Sequence, residues 1–444
     1  MSHDTAATPS TLRDSYDVVV LGAGPAGATA ATLIADAGHS VALLERDTFP
    51  RFKIGESLIP ATRGVLERLG VVDQLQESHF PKKYSVQFFS GSGNSSAPFY
   101  FSETEDESQS QTWQVLRSEF DQLLFDNAQR HSVDAVQGVQ VREVEFEGDR
   151  ATGVRVQTDD GESFVRSRVV VDATGQRALL ARQLGLRQTD PHLRQAAIFT
   201  HFRGGHRDEG IDEGATLILQ TESRQSWFWS IPLPDDRVSI GVVGPVDTLI
   251  QGRTIDGRRA TPQEIFDHEL ARCPGLAPRL EGAEQVREIQ VLNEFSYSTR
   301  RAAGDGWVLA GDAFGFLDPM YSTGVLLALR SAEMAADAVI DGLAEDDVSA
   351  ERLGSFAPRV HSGMSAFRKL VLAFYHPDFS FGRFLRKHPD HRRDIVRILV
   401  GDVFDRDFSA LSRDLLAMVD LPGDGAYPPP EVTESPGLEA VSAA

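Results

Sequence analysis

Cysteine is nearly absent from this chain, which contains only Cys273 among its 444 residues. A single cysteine excludes an internal disulfide and a cysteine-based metal cluster, so a reducing compartment fits best. Long apolar runs are also missing, since none approaches the roughly 20 residues that a membrane-spanning helix requires. The first 16 residues are polar, and a cytoplasmic location is therefore expected.

Basic residues are outnumbered, with 44 lysines and arginines against 65 aspartates and glutamates and a net charge of −21. Such a charge argues against a nucleic-acid or membrane partner. Hydrophobic residues make up 41% of the chain, which is ample for a large core in two or three closely joined lobes. No internal repeat is visible, and no metal-binding residues are predicted.

A glycine-rich turn at 22–27, with the sequence GAGPAG, separates a short apolar run from an alanine-rich one. The apolar run 18–21 predicts a buried parallel strand, and the alanine-rich run predicts a helix that ends at Gly38. A second apolar run follows at 41–45. The motif G-x-G-x-x-G alone is a weak signal, because glycine-rich turns also occur in ordinary α/β units. Strand, turn, helix and strand in this order favour nucleotide binding.

The small residues of this turn have separate tasks in a dinucleotide-binding fold. Gly22 makes the tight turn, Gly24 lets the backbone approach a pyrophosphate, and Gly27 lets the helix pack on the strand. The N-terminus of that helix, where Ala26 lies, offers free N–H groups and a positive dipole end to phosphates. Glu45 ends the second strand, where a carboxylate can bond a ribose hydroxyl.

Two later segments, 169–175 and 307–313, also run from an apolar strand into a glycine-containing turn. Three such strands can converge at the carboxyl edge of one parallel sheet. Residues 195–243 are rich in strand-forming residues and predict a mainly antiparallel sheet set against the nucleotide domain. After a helix predicted at 324–342, the chain is expected to be mostly helical as far as Val419.

Shorter patterns predict local elements. Ser118 is placed to cap a helix whose apolar residues follow helical spacing. Residues 139–156 and 163–171 predict strands that are joined by a turn at 159–161. The polar and acidic stretch 94–111 is expected to form an excursion from the sheet.

Three motifs have both a chemical and a purely structural interpretation. Trp227 and Trp229 lie two residues apart and therefore share one face of a strand, where neighbouring indoles usually pack in a core. Residues 322–324 follow a proline-containing turn and expose backbone N–H groups, which suit a small anion or serve only as a helix cap. Lys83 precedes a predicted strand, where a lysine ordinarily faces solvent.

The order of these elements resembles the FAD-binding fold of para-hydroxybenzoate hydroxylase-type flavoproteins. The resemblance lies in the G-x-G-x-x-G turn, in Arg117 at the start of a helix, in the DATG sequence of 172–175 and in the late pair Gly311-Asp312. It implies that Asp312 holds the ribitol chain and that the helix near Gly324 points its N-terminus at the flavin. The alternative, less favoured interpretation of Asp312 is a helix or turn cap.

Two motifs and one lysine narrow this resemblance to flavin-dependent halogenases. They are W-x-W-x-I-P at 227–232, F-x-x-P-x-x-S-x-G at 316–324 and Lys83 before a strand, and the likeness runs from about Tyr16 to Val419. In that family the tryptophan pair lies between flavin and substrate, and backbone amides of the late motif bind chloride. The resemblance implies catalytic roles for Lys83, Trp227, Trp229 and Ser322, cofactor binding by Gly22, Gly24, Ala26, Gly27, Glu45, Arg117 and Asp312, and halide binding by Thr323 and Gly324.

The family's lysine lies at the end of an internal tunnel and receives hypochlorous acid. This position maps onto Lys83, with Lys82 as the alternative. Tryptophan halogenases place a glutamate directly before the motif's serine, where this chain has Tyr321, so indole chlorination is not favoured. The chain is more similar to halogenases of phenols or pyrroles, whose substrates are sometimes tethered to a carrier protein. The Phe- and Arg-rich segment 367–404 also resembles that branch, in which it lies over the substrate channel.

The resemblance implies an FADH2-dependent halogenase, with chlorination as the expected reaction. Its cofactors are FAD in the reduced form, O2 and chloride or bromide, and its partners are a separate flavin reductase and a small aromatic substrate. A separate reductase is expected because no second dinucleotide fingerprint for NADH is visible.

Two alternative functions stay open. One is an NAD(P)H-dependent FAD monooxygenase or reductase, such as an aromatic hydroxylase or a geranylgeranyl reductase, and the other is a non-catalytic flavin-binding partner of a carrier protein.

The predicted fold class is α/β. It combines a Rossmann-like FAD-binding domain of the para-hydroxybenzoate hydroxylase type with an antiparallel β-sheet substrate domain and a helical C-terminal segment. The predicted boundaries are a disordered leader at 1–15, an FAD-binding domain at 16–84 with 112–190 and 295–345, a substrate domain at 85–111 with 191–294, a helical segment at 346–420 and a disordered tail at 421–444.

Overall fold

Two eight-stranded sheets form the framework of the structure, a computed structural model that describes residues 12–159, 161–255, 257–423 and 427–431. The path of the first sheet runs in the order Ala303–Gly304, Trp307–Leu309, Gly161–Asp172, Ser15–Leu21, Val41–Glu45 and Asp134–Gln137, and a branch adds Arg150–Thr158 and Gln140–Glu147.

Parallel pairing defines the centre of the first sheet. Ser15–Leu21 pairs in parallel with Val41–Glu45 on one side and with Gly161–Asp172 on the other. Trp307–Leu309 is added in parallel to Gly161–Asp172. The three strands that the sequence predicts to converge are therefore neighbours, and their carboxyl ends meet at one edge of the sheet.

The second sheet is antiparallel except for the pair Thr216–Gln220 and Ser85–Phe89, which is parallel. Its path runs Glu284–Gln285, Gln195–Arg203, Arg237–Pro245, Trp227–Leu233, Thr216–Gln220, Ser85–Phe89 and Phe99–Tyr100, and Gln290–Asn293 also pairs with Gln195–Arg203. Two-stranded sheets join Arg187–Thr189 with Tyr297–Thr299, Thr254–Ile255 with Arg258–Arg259, and Lys82–Lys83 with Thr112–Trp113.

Helices cover the first sheet and make up most of the C-terminal segment. The α-helices are Pro25–Asp36, Thr62–Arg68, Val72–Gln76, Glu107–Ser110, Arg117–Arg130, Leu179–Gln183, Val246–Leu249, Pro262–Leu270, Gly324–Ala344, Ala350–Leu353, Ala357–Tyr375, Phe381–Lys387, Arg392–Val400 and Ser409–Leu416. The 3-10 helices are Phe101–Glu103, Gly175–Arg177, Gly210–Asp212, Ala277–Leu280, Gly311–Ala313, Pro319–Tyr321 and Pro389–His391. None of the helices in the described ranges is long and apolar enough to cross a membrane.

The two faces of the second sheet pack into different cores. Trp227, Trp229 and Ile231 belong to the core that is continuous with the first sheet, whereas Phe228 belongs to a smaller core that includes residues of the helix Pro262–Leu270. Alternation along a strand explains this division, because successive side chains point to opposite faces. Both tryptophans therefore face the nucleotide-binding part of the molecule.

The helix Arg117–Arg130 begins two residues earlier than it would if Ser118 were its cap. Leu116 is the cap residue and makes no side-chain capping bond, so Ser118 lies inside the first turn. The prediction that Ser118 caps this helix is therefore wrong. Arg117 instead pairs with Asp121 one turn later, which supports the first turn without a capping hydroxyl.

The chain between 139 and 158 forms a hairpin, so the prediction of one strand over 139–156 is wrong. Gln140–Glu147 and Arg150–Thr158 pair antiparallel on either side of Gly148, whose φ of 61° disfavours a side chain. Residue 160 of the predicted turn lies outside the described residues.

The polar stretch 94–111 contributes the short strand Phe99–Tyr100 to the second sheet. The aromatic residues of this strand contact residues that are distant in the sequence, and a local sequence pattern does not reveal such contacts.

Part of the predicted disordered tail is packed against the fold. Tyr427 is buried, and its ring stacks on His361 with the centroids 5.1 Å apart. The N–H of Glu431 donates to the carbonyl oxygen of Arg300 at 2.7 Å. Disorder is therefore the wrong description for 427–431. Residues 12–15 of the predicted leader and 421–423 of the predicted tail are also described: the first strand already begins at Ser15, and Leu421 is buried. The remaining parts, 1–11, 424–426 and 432–444, lie outside the described residues.

Candidate active site

A cavity of about 440 Å³ lies where the carboxyl edge of the first sheet faces the second sheet. Nine of the predicted site residues line it: Gly22, Gly24, Ala26, Glu45, Arg117, Trp229, Asp312, Ser322 and Gly324. The other four are buried directly beside lining residues: Gly27, Lys83, Trp227 and Thr323. The fold therefore brings all the predicted site residues to one place.

The glycine-rich turn leaves no room for side chains at two of its three glycines. Gly22 has a φ of 89°, and a Cβ there would lie 2.7 Å from the carbonyl oxygen of Ala173. A Cβ at Gly27 would overlap the carbonyl oxygen of Gly22. At Gly24, by contrast, a Cβ would meet only the guanidinium of Arg51, at 3.8 Å. Packing within the protein thus explains Gly22 and Gly27, while Gly24 leaves backbone open towards the cavity.

Glu45 and Arg117 are held in place on the cavity wall by hydrogen bonds. Oε2 of Glu45 accepts from the N–H of Ala23 at 2.9 Å, so this carboxylate ties the second strand to the glycine-rich turn. The guanidinium of Arg117 forms two bonds with Asp121, at 2.7 and 3.0 Å, and donates to the carbonyl oxygen of Ile54 at 2.6 Å. A carboxylate has about four acceptor positions, so Glu45 keeps capacity for a ribose hydroxyl.

Asp312 lines the cavity from the 3-10 turn Gly311–Ala313, and no described group donates a hydrogen bond to its carboxylate. Burial raises the pKa of Asp312 to about 7, and the nearby charge of Arg117 opposes that rise. The side chain is partly exposed to the cavity, and a polyhydroxylated ligand chain there would supply donors that the protein does not. With the open backbone at Gly24, these residues fit a bound FAD.

Lys83 is buried, with 1% of its surface exposed, although a lysine at this position is ordinarily expected in solvent. Its Nζ donates to Ser57 Oγ at 2.9 Å and to the carbonyl oxygen of Leu58 at 3.0 Å. Burial lowers the pKa of Lys83 to about 7. The Ser57 hydroxyl also bonds Thr216 Oγ1 at 2.9 Å, and both hydroxyl residues line the cavity. Lys82, the alternative position, is exposed.

The two tryptophans form a wall beside the cavity. Their ring centroids are 6.3 Å apart, and Trp229 lines the cavity while its indole N–H donates to Ser239 Oγ at 3.2 Å. The indole N–H of Trp227 donates to Tyr375 Oη at 2.9 Å, and Tyr375 Oη donates to Asp318 Oδ2 at 3.0 Å. This chain of hydrogen bonds connects the tryptophan strand to the C-terminal segment and to the turn before Ser322.

The segment 322–324 forms the N-terminal approach to the helix Gly324–Ala344. Ser322 lies in the left-handed region with a φ of 56°, and Thr323 is buried at the cap position. Neither the N–H of Thr323 nor that of Gly324 is bonded to another group of the described chain. The positive end of the helix dipole lies at the same place, so the site suits a small anion.

Comparisons with known proteins agree with this geometry. The family model "FAD binding domain" matches residues 15–349. The chain is 31% identical over 409 residues to a 1H-pyrrole-2-carbonyl-[peptidyl-carrier protein] chlorinase of Pseudomonas fluorescens, covering 88% of this chain and 90% of the relative. It is 32% identical over 394 residues to the corresponding brominase of Pseudoalteromonas luteoviolacea, covering 88% and 93%. This chain belongs to the flavin-dependent halogenases.

A solved structure of a flavin-dependent brominase superposes on this halogenase with a TM-score of 0.80, at 30% identity, covering 91% of this chain and 98% of the other. The predicted fold class is thereby confirmed, as is the prediction of a flavin-dependent halogenase. The monooxygenase, reductase and non-catalytic alternatives are not favoured.

Two groups in the halogenase site were not singled out from the sequence. Glu56 and His201 form a buried pair with Oε1 and Nε2 2.8 Å apart, and Ser57 with Thr216 connects Lys83 to the cavity. Their only local signal in the sequence is the density of polar residues in the segment 51–60. His201 and Thr216 lie on strands 145 and 159 residues away from their partners, and no sequence periodicity joins positions so far apart.

Proposed function

We propose that this halogenase uses reduced FAD, O2 and chloride or bromide to halogenate a pyrrole ring that is tethered to a carrier protein. The observation that carries the proposal is Lys83, a buried lysine whose amine contacts the cavity wall through one hydroxyl, that of Ser57. A lysine buried without an acidic partner among the described residues has no structural advantage over an apolar residue, which favours a chemical role.

The cofactor is held by the residues that line the first-sheet side of the cavity. The turn 22–27 takes the pyrophosphate, Glu45 takes a ribose hydroxyl, and Asp312 accepts hydrogen bonds from the ribitol chain, with Arg117 beside it. When bound in its reduced form, FAD would supply two of the four electrons that reduce O2 and the halide ion the other two, so that one oxygen atom ends in water and the other in hypohalous acid. The protein residues bind, separate and orient the reactants of that chemistry.

The halide is bound by the backbone at the start of the helix Gly324–Ala344. The N–H groups of Thr323 and Gly324, which donate to no other described group, would bind the anion together, and Ser322 sets the backbone conformation that exposes them. Gly324 and Ser322 line the same cavity as the cofactor-binding residues. A halide bound there would lie next to the flavin, as the reaction requires.

The tryptophan wall separates the aromatic substrate from the flavin. Trp227 is buried against Tyr375 and Phe374 of the C-terminal segment, and Trp229 closes the cavity side. An aromatic ring cannot pass between packed indoles, whereas hypohalous acid is a molecule of two heavy atoms. The wall therefore keeps oxidation chemistry and halogen transfer in two compartments.

Lys83 carries the halogen to the substrate in this proposal. Its lowered pKa makes the neutral amine available at pH 7 to 8, and a neutral amine is a nucleophile. The amine takes the halogen from hypohalous acid and releases water, and the resulting N–halogen group transfers the halogen to the ring in exchange for a proton. An ammonium that only polarises hypohalous acid is the competing role, and the two respond oppositely to pH.

The substrate class follows from the residue at 321 and from the relatives. Tyr321 is buried, with its hydroxyl bonded to the carbonyl oxygen of Leu370 at 3.2 Å, so this position offers no carboxylate to assist the lysine. A ring that is already electron-rich, such as pyrrole, needs less assistance. The two relatives named above act on pyrrole carried by a peptidyl carrier protein. A separate flavin reductase regenerates the reduced cofactor.

The test compares tethered with free pyrrole. Pyrrole-2-carbonyl loaded on a carrier protein, the free acid and a simple thioester are incubated with the enzyme, FAD, a flavin reductase, NADH and chloride or bromide. Mass spectrometry is expected to find halogenated pyrrole on the carrier and little or none on the free compounds. Halogenation of the free acid or of the thioester as efficient as that of the carrier-bound pyrrole would contradict the tethered-pyrrole proposal, and the unloaded carrier is the control.

A further inference from the structure

A cluster of two histidines and one aspartate lies in the C-terminal segment, apart from the flavin cavity. One donor atom from each of His388, His391 and Asp414 lies within 4.8 Å of the other two. Within the described ranges, no other group of three His, Cys, Asp or Glu side chains meets this spacing. We propose that these three residues bind a divalent cation of the zinc class, with water completing the coordination.

The two histidines are brought to one side by the local backbone. The 3-10 helix Pro389–His391 follows directly after His388, so the two rings are three residues apart and share a face. Both rings also pack on buried Phe384, with centroids at 5.2 Å for His388 and 5.8 Å for His391. This packing orders the two imidazoles before any ion binds, which lowers the entropy cost of binding.

The third donor comes from another helix, Ser409–Leu416. Oδ2 of Asp414 lies 2.8 Å from Nε2 of His391 and 3.4 Å from Nδ1 of His388. Tetrahedral zinc with bonds of about 2.0–2.1 Å keeps its ligand atoms about 3.4 Å apart. These two separations therefore need only a small adjustment to admit the ion, and the two imidazole nitrogens lie within 4.8 Å of each other.

A second carboxylate orients one of the histidines. Nδ1 of His391 lies 3.0 Å from Oδ2 of Asp394. A carboxylate on the far nitrogen of a metal-binding imidazole fixes the ring and raises the basicity of the ligand nitrogen. Asp414 and His388 have side chains 35% and 22% exposed, so the ion and its water have access from solvent. Two imidazoles and one carboxylate suit Zn²⁺ better than Ca²⁺ or Mg²⁺, which prefer oxygen ligands.

The ion would fasten the C-terminal segment rather than take part in halogenation. It would join the end of Phe381–Lys387 to the helix Ser409–Leu416. Phe381 in turn packs on Phe88, with centroids 5.1 Å apart, and Phe88 lies near Phe374 beside the tryptophan wall. The competing explanation is that a protonated His391 links Asp394 and Asp414 without a metal.

Metal uptake by the full-length untagged protein separates these explanations. The protein is freed of metal with a chelator, dialysed at pH 7.5 against Zn²⁺ at micromolar concentration, and analysed by mass spectrometry for bound zinc. One zinc per chain is expected. His391→Gln and Asp414→Asn are expected to weaken binding at least tenfold, whereas His206→Gln, at an exposed histidine beside Asp208, leaves it unchanged.

Two further measurements exclude indirect effects. Co²⁺ in the site is expected to give the intense visible absorption of a four-coordinate ion, and Zn²⁺ at a hundredfold excess over Kd is expected to raise Tm by about 3 °C. Circular dichroism confirms that each variant is folded. Absence of zinc from the wild-type protein, or equal uptake by all three variants, would overturn the proposal and favour the protonated histidine. None of these readouts depends on halogenase activity.

Discussion

The residue whose environment says most about the chemistry is Lys83. Its amine has the hydroxyl of Ser57 and the carbonyl oxygen of Leu58 as hydrogen-bond partners, and it lies 5.4 Å from the centroid of the Phe101 ring. These groups accept hydrogen bonds, but none carries a formal negative charge to balance an ammonium. Desolvation therefore favours the neutral form of the amine. Burying this amine costs free energy that an apolar side chain at the same position would not cost.

Replacement of Lys83 by alanine is expected to lower halogenation by at least ~100-fold while FAD still binds. The residue does not line the cofactor cavity, so its loss removes halogen transfer and leaves the flavin site intact. Liquid chromatography with mass spectrometry measures product, and flavin fluorescence measures FAD affinity. Lys82→Ala is the matched control, because its side chain is exposed on the same two-residue strand, and full activity is expected there. Equal activity in Lys83→Ala and the wild type would remove the lysine from the mechanism.

The pH dependence distinguishes the amine from the ammonium role. With a folded pKa of about 7 for Lys83, the neutral fraction rises from about one half at pH 7 to about nine tenths at pH 8. Halogenated product per reduced flavin oxidised is therefore expected to rise across pH 6 to 8. Measuring this ratio, rather than the rate, removes the pH dependence of flavin supply. A ratio that falls over the same interval would instead assign the ammonium role.

At the scale of elements, the glycine-rich turn depends on two backbone contacts. A side chain at Gly22 would collide with the backbone of Ala173, which follows the strand Gly161–Asp172. A side chain at Gly27 would collide with the backbone of Gly22. The turn, the helix Pro25–Asp36 and the strand Gly161–Asp172 therefore fit together only without side chains at these points. Gly24 is different, because protein packing leaves space there and its backbone lines the cavity.

Gly27→Ala is expected to weaken FAD binding by about tenfold or more, because the added methyl group displaces the turn from the helix. Titration with FAD followed by flavin fluorescence measures the affinity, and Tm reports any loss of folding stability. Gly64→Ala is the control, since the position lies in the helix Thr62–Arg68 with open space around it. That control is expected to retain FAD affinity and to gain about 0.5–1 kcal/mol of stability. Unchanged FAD affinity in Gly27→Ala would contradict the assignment of the turn.

Elements with a strong local period were predictable from the sequence, and elements that depend on distant partners were not. The strand containing Trp227 and Trp229 has the side-chain alternation that its period of two predicts. Tyr427 lies in a proline-rich stretch that reads as disordered, and its partner His361 is 66 residues away. Local composition cannot report a contact of that kind.

The same limit applies to the site. Lys83 lies on a strand of only two residues, and this strand pairs with Thr112 and Trp113 and sets the orientation of the lysine. Two residues are too few to produce a periodic pattern in the sequence. Family resemblance predicts the position of Lys83 in the sequence, whereas its burial depends on the fold. The pair Glu56 and His201 has no local signature at all, because its members meet across the junction of the two sheets.

In the molecule as a whole, the active site lies at the junction between the two sheets, and both sheets contribute residues to it. The first sheet supplies the cofactor side through its carboxyl edge, and the second supplies the tryptophan wall and Thr216.

The net charge of −21 does not favour docking of a carrier protein that is itself acidic. The C-terminal segment offers a local exception, because Arg383, Arg386, Lys387 and Arg393 are exposed. Carrier docking there would bring a tethered ring close to the aromatic cluster beside Trp227.

The most direct test of the account is turnover with and without halide. Purified protein is incubated with FAD, a flavin reductase, NADH and carrier-tethered pyrrole, in chloride, in bromide and in halide-free buffer, and the products are identified by mass spectrometry. Halogenated pyrrole is expected only when halide, O2 and the reductase are all present. Hydroxylated or reduced product in the halide-free reaction, or turnover with NADH in the absence of the reductase, would contradict the account.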